Sequence, residues 1–190
     1  MRNYLLGLIL LAWAGGLAAN QDSEFIAARQ AFQSGNGKRL DEYAPRLKRH
    51  VLWPYIEYYQ LRMQLRTTDM ASIRHFLSRY EGSLVGDRLR SDWLKILGKS
   101  QQWQIFDKEY TQLVNNDTEL LCYAYQRRLD NGDQQIIRDV RTIWNTPTSL
   151  PDSCIGIFQT LILSGQISRE DLWARIRLAL EEGQTGVATQ

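Results

Sequence analysis

Five short turns, each polar or glycine-bearing, recur after residue 20 at a step of about 33 residues. They are Gly35-Asn36-Gly37, Thr67-Thr68-Asp69, Gly98-Lys99-Ser100, Asn131-Gly132-Asp133 and Ser164-Gly165-Gln166. Apolar residues at helical spacing flank each one. Leu120, Leu121, Ala124 and Tyr125 precede the fourth turn, and Ile136, Ile137, Val140, Ile143 and Trp144 follow it. Phe158, Leu161 and Ile162 precede the fifth, and Leu172, Ile176, Ala179 and Leu180 follow it. Ser168 with Asp171 three residues on is the pattern of a capping box opening that last helix. A single amphipathic hairpin cannot bury its apolar face alone, so successive hairpins must stack on a shared core. The expected fold is all-α: an α-solenoid or superhelix of about five helical hairpins, with no segment alternating at the period of a strand.

The step is close to that of tetratricopeptide repeats, but their small-residue consensus is not met, so the solenoid is a divergent one. Its 190 residues suffice for one domain with a sizeable core, and 44% hydrophobic with 23% charged residues is a globular composition. Basic and acidic residues number 23 and 21, a balance that argues against a nucleic-acid binder.

The first nineteen residues have a different character. Arg2 precedes an apolar run from Leu5 to Ala14, then the small residues Gly15, Gly16, Ala18 and Ala19, then polar Asn20, Gln21 and Asp22. Charge, apolar core and small-residue site in that order make a secretory signal, cleaved after Ala18 or Ala19. The apolar stretch from Tyr4 to Ala19 falls short of the roughly 20 residues a spanning helix needs. The expected organisation is a signal peptide over 1–19 and an α-superhelical domain over 20–190, exported and without a membrane span after cleavage.

Export changes the reading of the two cysteines, Cys122 and Cys154. In a reducing cytosol they would be inert core residues; outside it, a disulfide becomes the leading reading, stabilising the fold by about 3–4 kcal/mol in the chain-entropy model. No CxxC occurs and only His50 and His75 offer imidazoles, so no metal site and no cofactor is expected, and each histidine reads as a surface or packing residue. Trp53-Pro54-Tyr55-Ile56-Glu57-Tyr58-Tyr59 puts four aromatic rings in seven residues. It reads either as a stacking platform for sugars or, preferably, as core, with Tyr55 and Tyr59 on one helix face and Pro54 in the first turn. Trp93, Trp103, Trp144 and Trp173 read as core, and Arg46, Lys48, Arg49, Arg88 and Arg90 as a solvated face. The chain has no GxSxG, Walker loop, HExxH or helix-opening GxGxxG. Adjacent carboxylates such as Asp41/Glu42 and Glu181/Glu182 single out no catalytic pair.

Five segments, in order, resemble the N-terminal helical part of the soluble lytic murein transglycosylases. Trp53-Pro54-Tyr55-Ile56-Glu57-Tyr58 resembles that family's Tyr-Pro-Tyr-Leu-Glu-Tyr signature, and Trp93-Leu94-Lys95-Ile96-Leu97 with Gln102-Trp103 its next hairpin. Leu121-Cys122-Tyr123-Ala124-Tyr125 and Leu150-Pro151-Asp152-Ser153-Cys154 look like its two bridging-cysteine segments. Arg175 to Leu180 with Gly183-Gln184-Thr185-Gly186 resembles the hand-over to a further hairpin. The resemblance implies a periplasmic protein whose partners are peptidoglycan glycan strands. The family cleaves the MurNAc–GlcNAc bond without water, leaving 1,6-anhydro-muramyl ends, and does so with one glutamate in a C-terminal lysozyme-like domain.

That glutamate sits in a Glu-Ser motif followed by Gly-Leu-Met-Gln, and neither motif occurs in these 190 residues. No catalytic residue is therefore carried over, and the chain is expected to be inactive alone. It reads as truncated, its catalytic domain a missing partner and its last hairpin leaving an apolar face open. The alternatives are a stand-alone periplasmic scaffold or protein-binding module, and an enzyme with an unrecognised site.

Overall fold

The computed structural model describes residues 20–133 and 135–187, so the expected signal peptide over 1–19 lies outside the described residues. Among the described residues there are ten α-helices and no strand. They are α1 over 20–33, α2 Gly37–Tyr43, α3 Trp53–Gln64, α4 Met70–Arg79, α5 Leu84–Lys99, α6 Trp103–Tyr110, α7 Thr118–Asp130, α8 Ile136–Trp144, α9 Ile155–Leu163 and α10 Arg169–Glu181. Short 3-10 helices follow α2 (Ala44–Leu47) and precede α9 (Asp152–Cys154). The five expected turns separate α1 from α2, α3 from α4, α5 from α6, α7 from α8 and α9 from α10, so the all-α series of five hairpins is borne out.

Four of those turns end their helix in one way. Gly35, Gln101, Gly132 and Gly165 take positive φ, of 71°, 56°, 84° and 73°. In each case the next residue's N–H reaches a carbonyl five residues back: Asn36 to Ala31, Gln102 to Leu97, Asp133 to Arg128, Gln166 to Leu161. This is the Schellman motif, which satisfies carbonyls left over at a helix C-terminus and favours a residue without Cβ. The third turn has a glutamine there, not a glycine. Its glycine, Gly98, is still helical and has another use. A Cβ on it would lie 2.5 Å from the Tyr123 ring, so the missing side chain lets that ring seat on α5. The second turn is capped from the other side, with the Asp69 carboxylate accepting the Ser72 N–H at 2.9 Å. Ser168 and Asp171 form the expected capping box.

The chain divides into two compact units, one up to Leu89 and one from Arg90. In the first, α2 packs on α3 and on the 3-10 helix after it. Tyr58 and Tyr59 are buried, and Phe32 stacks on Tyr59 with ring centroids 4.3 Å apart, so the aromatic run builds core there while Trp53 and Tyr55 remain half-buried. His50 is a packing residue. Its ring lies against Phe25, its Nδ1 accepts the Leu52 N–H at 3.1 Å, and its Nε2 then donates to Asp22 at 2.9 Å.

In the second unit α7 packs on α8, α9 and the short 3-10 helix. Cys122 of α7 and Cys154 form a disulfide, both buried in a cluster with Ile136, Val140, Trp144, Ile157 and Leu161. Two expectations need correction. Arg90 is buried, not solvated: it shares an i, i+4, i+7 line with core residues Leu94 and Leu97. Its guanidinium is satisfied by the Glu109 carboxylate at 3.3 Å and by the carbonyl and side chain of Gln112. Trp173 is 52% exposed, as is Leu180, while Trp103 is half-buried and Trp93 and Trp144 are core. Helix α10 turns its apolar line Leu172, Ile176 and Ala179 inward, and Trp173 and Leu180 lie one residue round from it.

Candidate functional site

The first unit carries a groove of about 890 Å³ formed by the facing sides of α3 and α4 and the turn between them. Its position follows from the fold-back. Glu57 and Arg79 stand eleven residues either side of Thr68, so closing the hairpin at Thr67-Thr68-Asp69 brings them opposite one another. Arg79 Nη1 donates to Glu57 Oε1 at 3.1 Å, and the Tyr80 hydroxyl donates to Glu57 Oε2. The Arg79 guanidinium also lies over the Tyr80 ring, 5.4 Å from its centroid. Burial, and then the Glu57 carboxylate beside it, push the Tyr80 phenol up to about 12, so it stays a donor throughout the physiological range.

Further along the groove stand the amides of Gln60 and Gln64, the hydroxyls of Thr67, Thr68 and Ser72, and the exposed imidazole of His75, over apolar Leu61, Ala71 and Phe76. Both threonine hydroxyls donate to the Gln64 carbonyl, at 3.0 and 2.9 Å, and so present lone pairs outward. The Gln60 amide donates to Asp41 of α2 at 2.6 Å, which fixes its carbonyl oxygen as an acceptor. The Ser72 N–H and then its hydroxyl hold Asp69 below the usual carboxylate range. The wall thus alternates fixed acceptors with amide, imidazole and guanidinium donors, a pattern suited to a neutral polyhydroxylated ligand. With one oxygen of Glu57 on an arginine and the other on a phenol, that carboxylate is an anchored acceptor. Among the described residues no three His, Cys, Asp or Glu side chains group as metal ligands.

Sequence reasoning did not single out this groove. Glu57 lies within the quoted aromatic run, but its partners are 22 and 23 residues away, and only the turn position signals that they meet. The two cysteines named from sequence lie in the second unit, inside its core.

A repeat of helical hairpins with one hairpin opened into a polar groove defines the class. Comparison with known proteins shows what the chain is similar to. No family model matches the chain. It is 25% identical over 170 residues to the soluble lytic murein transglycosylase of Escherichia coli K12, covering 89% of this chain and 26% of that protein. To the Salmonella typhimurium protein of the same name it is 25% identical over 186 residues, covering 97% and 28%. Among solved structures it matches the 70-kDa soluble lytic transglycosylase in complex with bulgecin A, with a TM-score of 0.65 at 24% identity over 90% of this chain and 28% of that one. An inactive mutant of the lytic transglycosylase Slt from Pseudomonas aeruginosa matches with a TM-score of 0.66 at 24% identity, over 87% and 27%. The resemblance read from the five segments is borne out across most of the chain, and the helical fold is shared. The chain spans about a quarter of the length of the curated relatives it matches. No helix of the described residues is long and apolar enough to cross a membrane.

Proposed function

We propose that this chain is the helical, non-catalytic region of a peptidoglycan-processing protein of the lytic-transglycosylase kind, and that its α3–α4 groove holds glycan strands. The observation that carries this reading is the likeness, in sequence and in fold over about nine-tenths of the chain, to proteins named for acting on murein. The groove chemistry supports it. Sugar hydroxyls and acetamido groups each offer donors and acceptors, and Gln60, Gln64, Thr67, Thr68 and Ser72 offer the complementary set without a net charge of their own. The absence of Glu-Ser and Gly-Leu-Met-Gln from these residues supports a role in holding substrate, with bond cleavage assigned to another domain. On this reading residues 1–19 direct export and are removed near Ala18 or Ala19, the mature region from residue 20 works in the periplasm, and the Cys122–Cys154 bond is a structural clamp suited to that compartment.

The test is to incubate the purified chain with peptidoglycan sacculi, sediment them, and chromatograph the soluble fraction. The expected result is co-sedimentation of the chain with no 1,6-anhydro-muropeptide released. Failure to co-sediment would refute the glycan-holding role, and anhydro products would refute the non-catalytic one.

A further inference from the structure

A second cavity lies in the second unit, bounded by the end of α8, the 3-10 helix before α9, and the facing sides of α9 and α10. It measures about 400 Å³, within the roughly 300–1,000 Å³ range of small-molecule sites. Its walls are mainly apolar, with Trp144, Leu150, Pro151, Phe158, Ile162 and Leu172 among them. One cation lines it, Arg175 of α10. That guanidinium stacks 4.7 Å from the Trp144 ring centroid and donates Nη1 to the Trp144 carbonyl at 2.8 Å. Arg79, Arg90, Arg127 and Arg128 each face a carboxylate, whereas no carboxylate among the described residues pairs with Arg175. Its remaining N–H groups are not buried without a partner and stand open to solvent or ligand. Burial alone draws its pKa below the ordinary value.

We propose that this cavity binds a small organic monocarboxylate, its apolar body between α9 and α10 and its carboxylate on Arg175. The charge count excludes a dianion. A second cation is lacking, and the other polar lining groups are Gln159 and the exposed Asp152, beside which a phosphate dianion would carry surplus negative charge. The shape of the donor selects a carboxylate, because a guanidinium fork presents parallel N–H groups to a planar, two-oxygen acceptor. The apolar walls select the body, since a small polar acid such as acetate would leave most of the space to water. Held over Trp144, the arginine is already oriented, so little side-chain entropy is lost on binding. This inference is independent of the glycan reading of the α3–α4 groove.

The test titrates the chain by isothermal calorimetry with 4-phenylbutyrate, with its neutral amide 4-phenylbutyramide, and with inorganic phosphate. The expected result is one site for 4-phenylbutyrate, at least tenfold weaker binding of the amide, and none of phosphate. Arg175→Gln is expected to reduce 4-phenylbutyrate binding to the level of the amide. Ile155→Trp, which fills the mouth and leaves Arg175 in place, is expected to abolish binding of both. Circular dichroism melting checks that each variant is folded. Equal affinity for acid and amide, preference for phosphate, or wild-type affinity in the two folded variants would each overturn the proposal.

Discussion

The α3–α4 hairpin and the α7–α9 pair are both held by a long-range tie, of opposite kinds. Across α3 and α4 the tie is polar: Glu57 accepts from Arg79 and from the Tyr80 hydroxyl at the edge of an open groove. Between α7 and the 3-10 helix that leads into α9 it is covalent, the Cys122–Cys154 bond running through an apolar cluster. A polar tie contributes little stability but keeps the facing walls wettable and supplied with fixed donors and acceptors. A covalent tie acts on the unfolded chain, and its surroundings can be wholly apolar. The first arrangement suits a surface that handles a hydroxyl-rich polymer, the second a rigid support. The α8–α10 cavity belongs to the second kind, apolar with a single charge.

The largest effect that sharpens this contrast is loss of the bridge. Replacing Cys122 and Cys154 together by alanine removes a cross-link between residues 32 apart and is expected to cost about 3–4 kcal/mol, read from urea unfolding. Sacculus binding should persist in buffer, since the α3–α4 groove has no part in the bridge. Next is Gly98→Ala, which pushes a methyl group into the Tyr123 ring and is expected to cost about 1–3 kcal/mol in the same assay. A neutral effect would mean that α5 and α7 are not in close register. Glu57→Gln keeps the shape of the groove but removes the ion pair with Arg79, and is expected to lower stability by only about 0.5–1 kcal/mol while weakening sacculus binding several-fold. A stability loss as large as that of the bridge variant would erase the distinction between the two ties.

The smallest effect is a titration. The Tyr80 phenol, raised to about 12 in the native protein, ionises near 10 in the unfolded chain. Below pH 10 it is protonated in both states. As pH rises from 10 towards 12, only the unfolded chain releases the proton, so the contribution of Tyr80 to stability falls across that window. The difference in phenolate absorbance between the native chain and Tyr80→Phe is expected to titrate near 12; a midpoint near 10 would show that neither the burial of the phenol nor its contact with Glu57 holds in solution.

The hairpins were legible in the sequence because each needs only local signals: a turn, a helical stripe and a cap. Ser168 with Asp171 is such a signal, and so are Gly132 and Gly165. Gly98 has a use that no local signal carries. It stood in a turn motif, yet its function is the approach of Tyr123, 25 residues on, while Gln101 takes the left-handed position. Arg90 and Trp173 depart from expectation because charge and hydrophobicity are properties of a residue, whereas burial depends on which line of the helix faces a neighbour. The groove was illegible for a related reason. None of Glu57, Gln64, Ser72 and Arg79 is unusual alone, and they become a site only when the second turn folds α4 back along α3.

The most direct test of the glycan-holding role is a backbone amide NMR titration of the chain with soluble, uncross-linked glycan strands. The account predicts shift changes concentrated at α3, α4 and the Thr67-Thr68-Asp69 turn, reduced in Glu57→Gln. Changes confined to other helices, or none at saturating glycan, would contradict it.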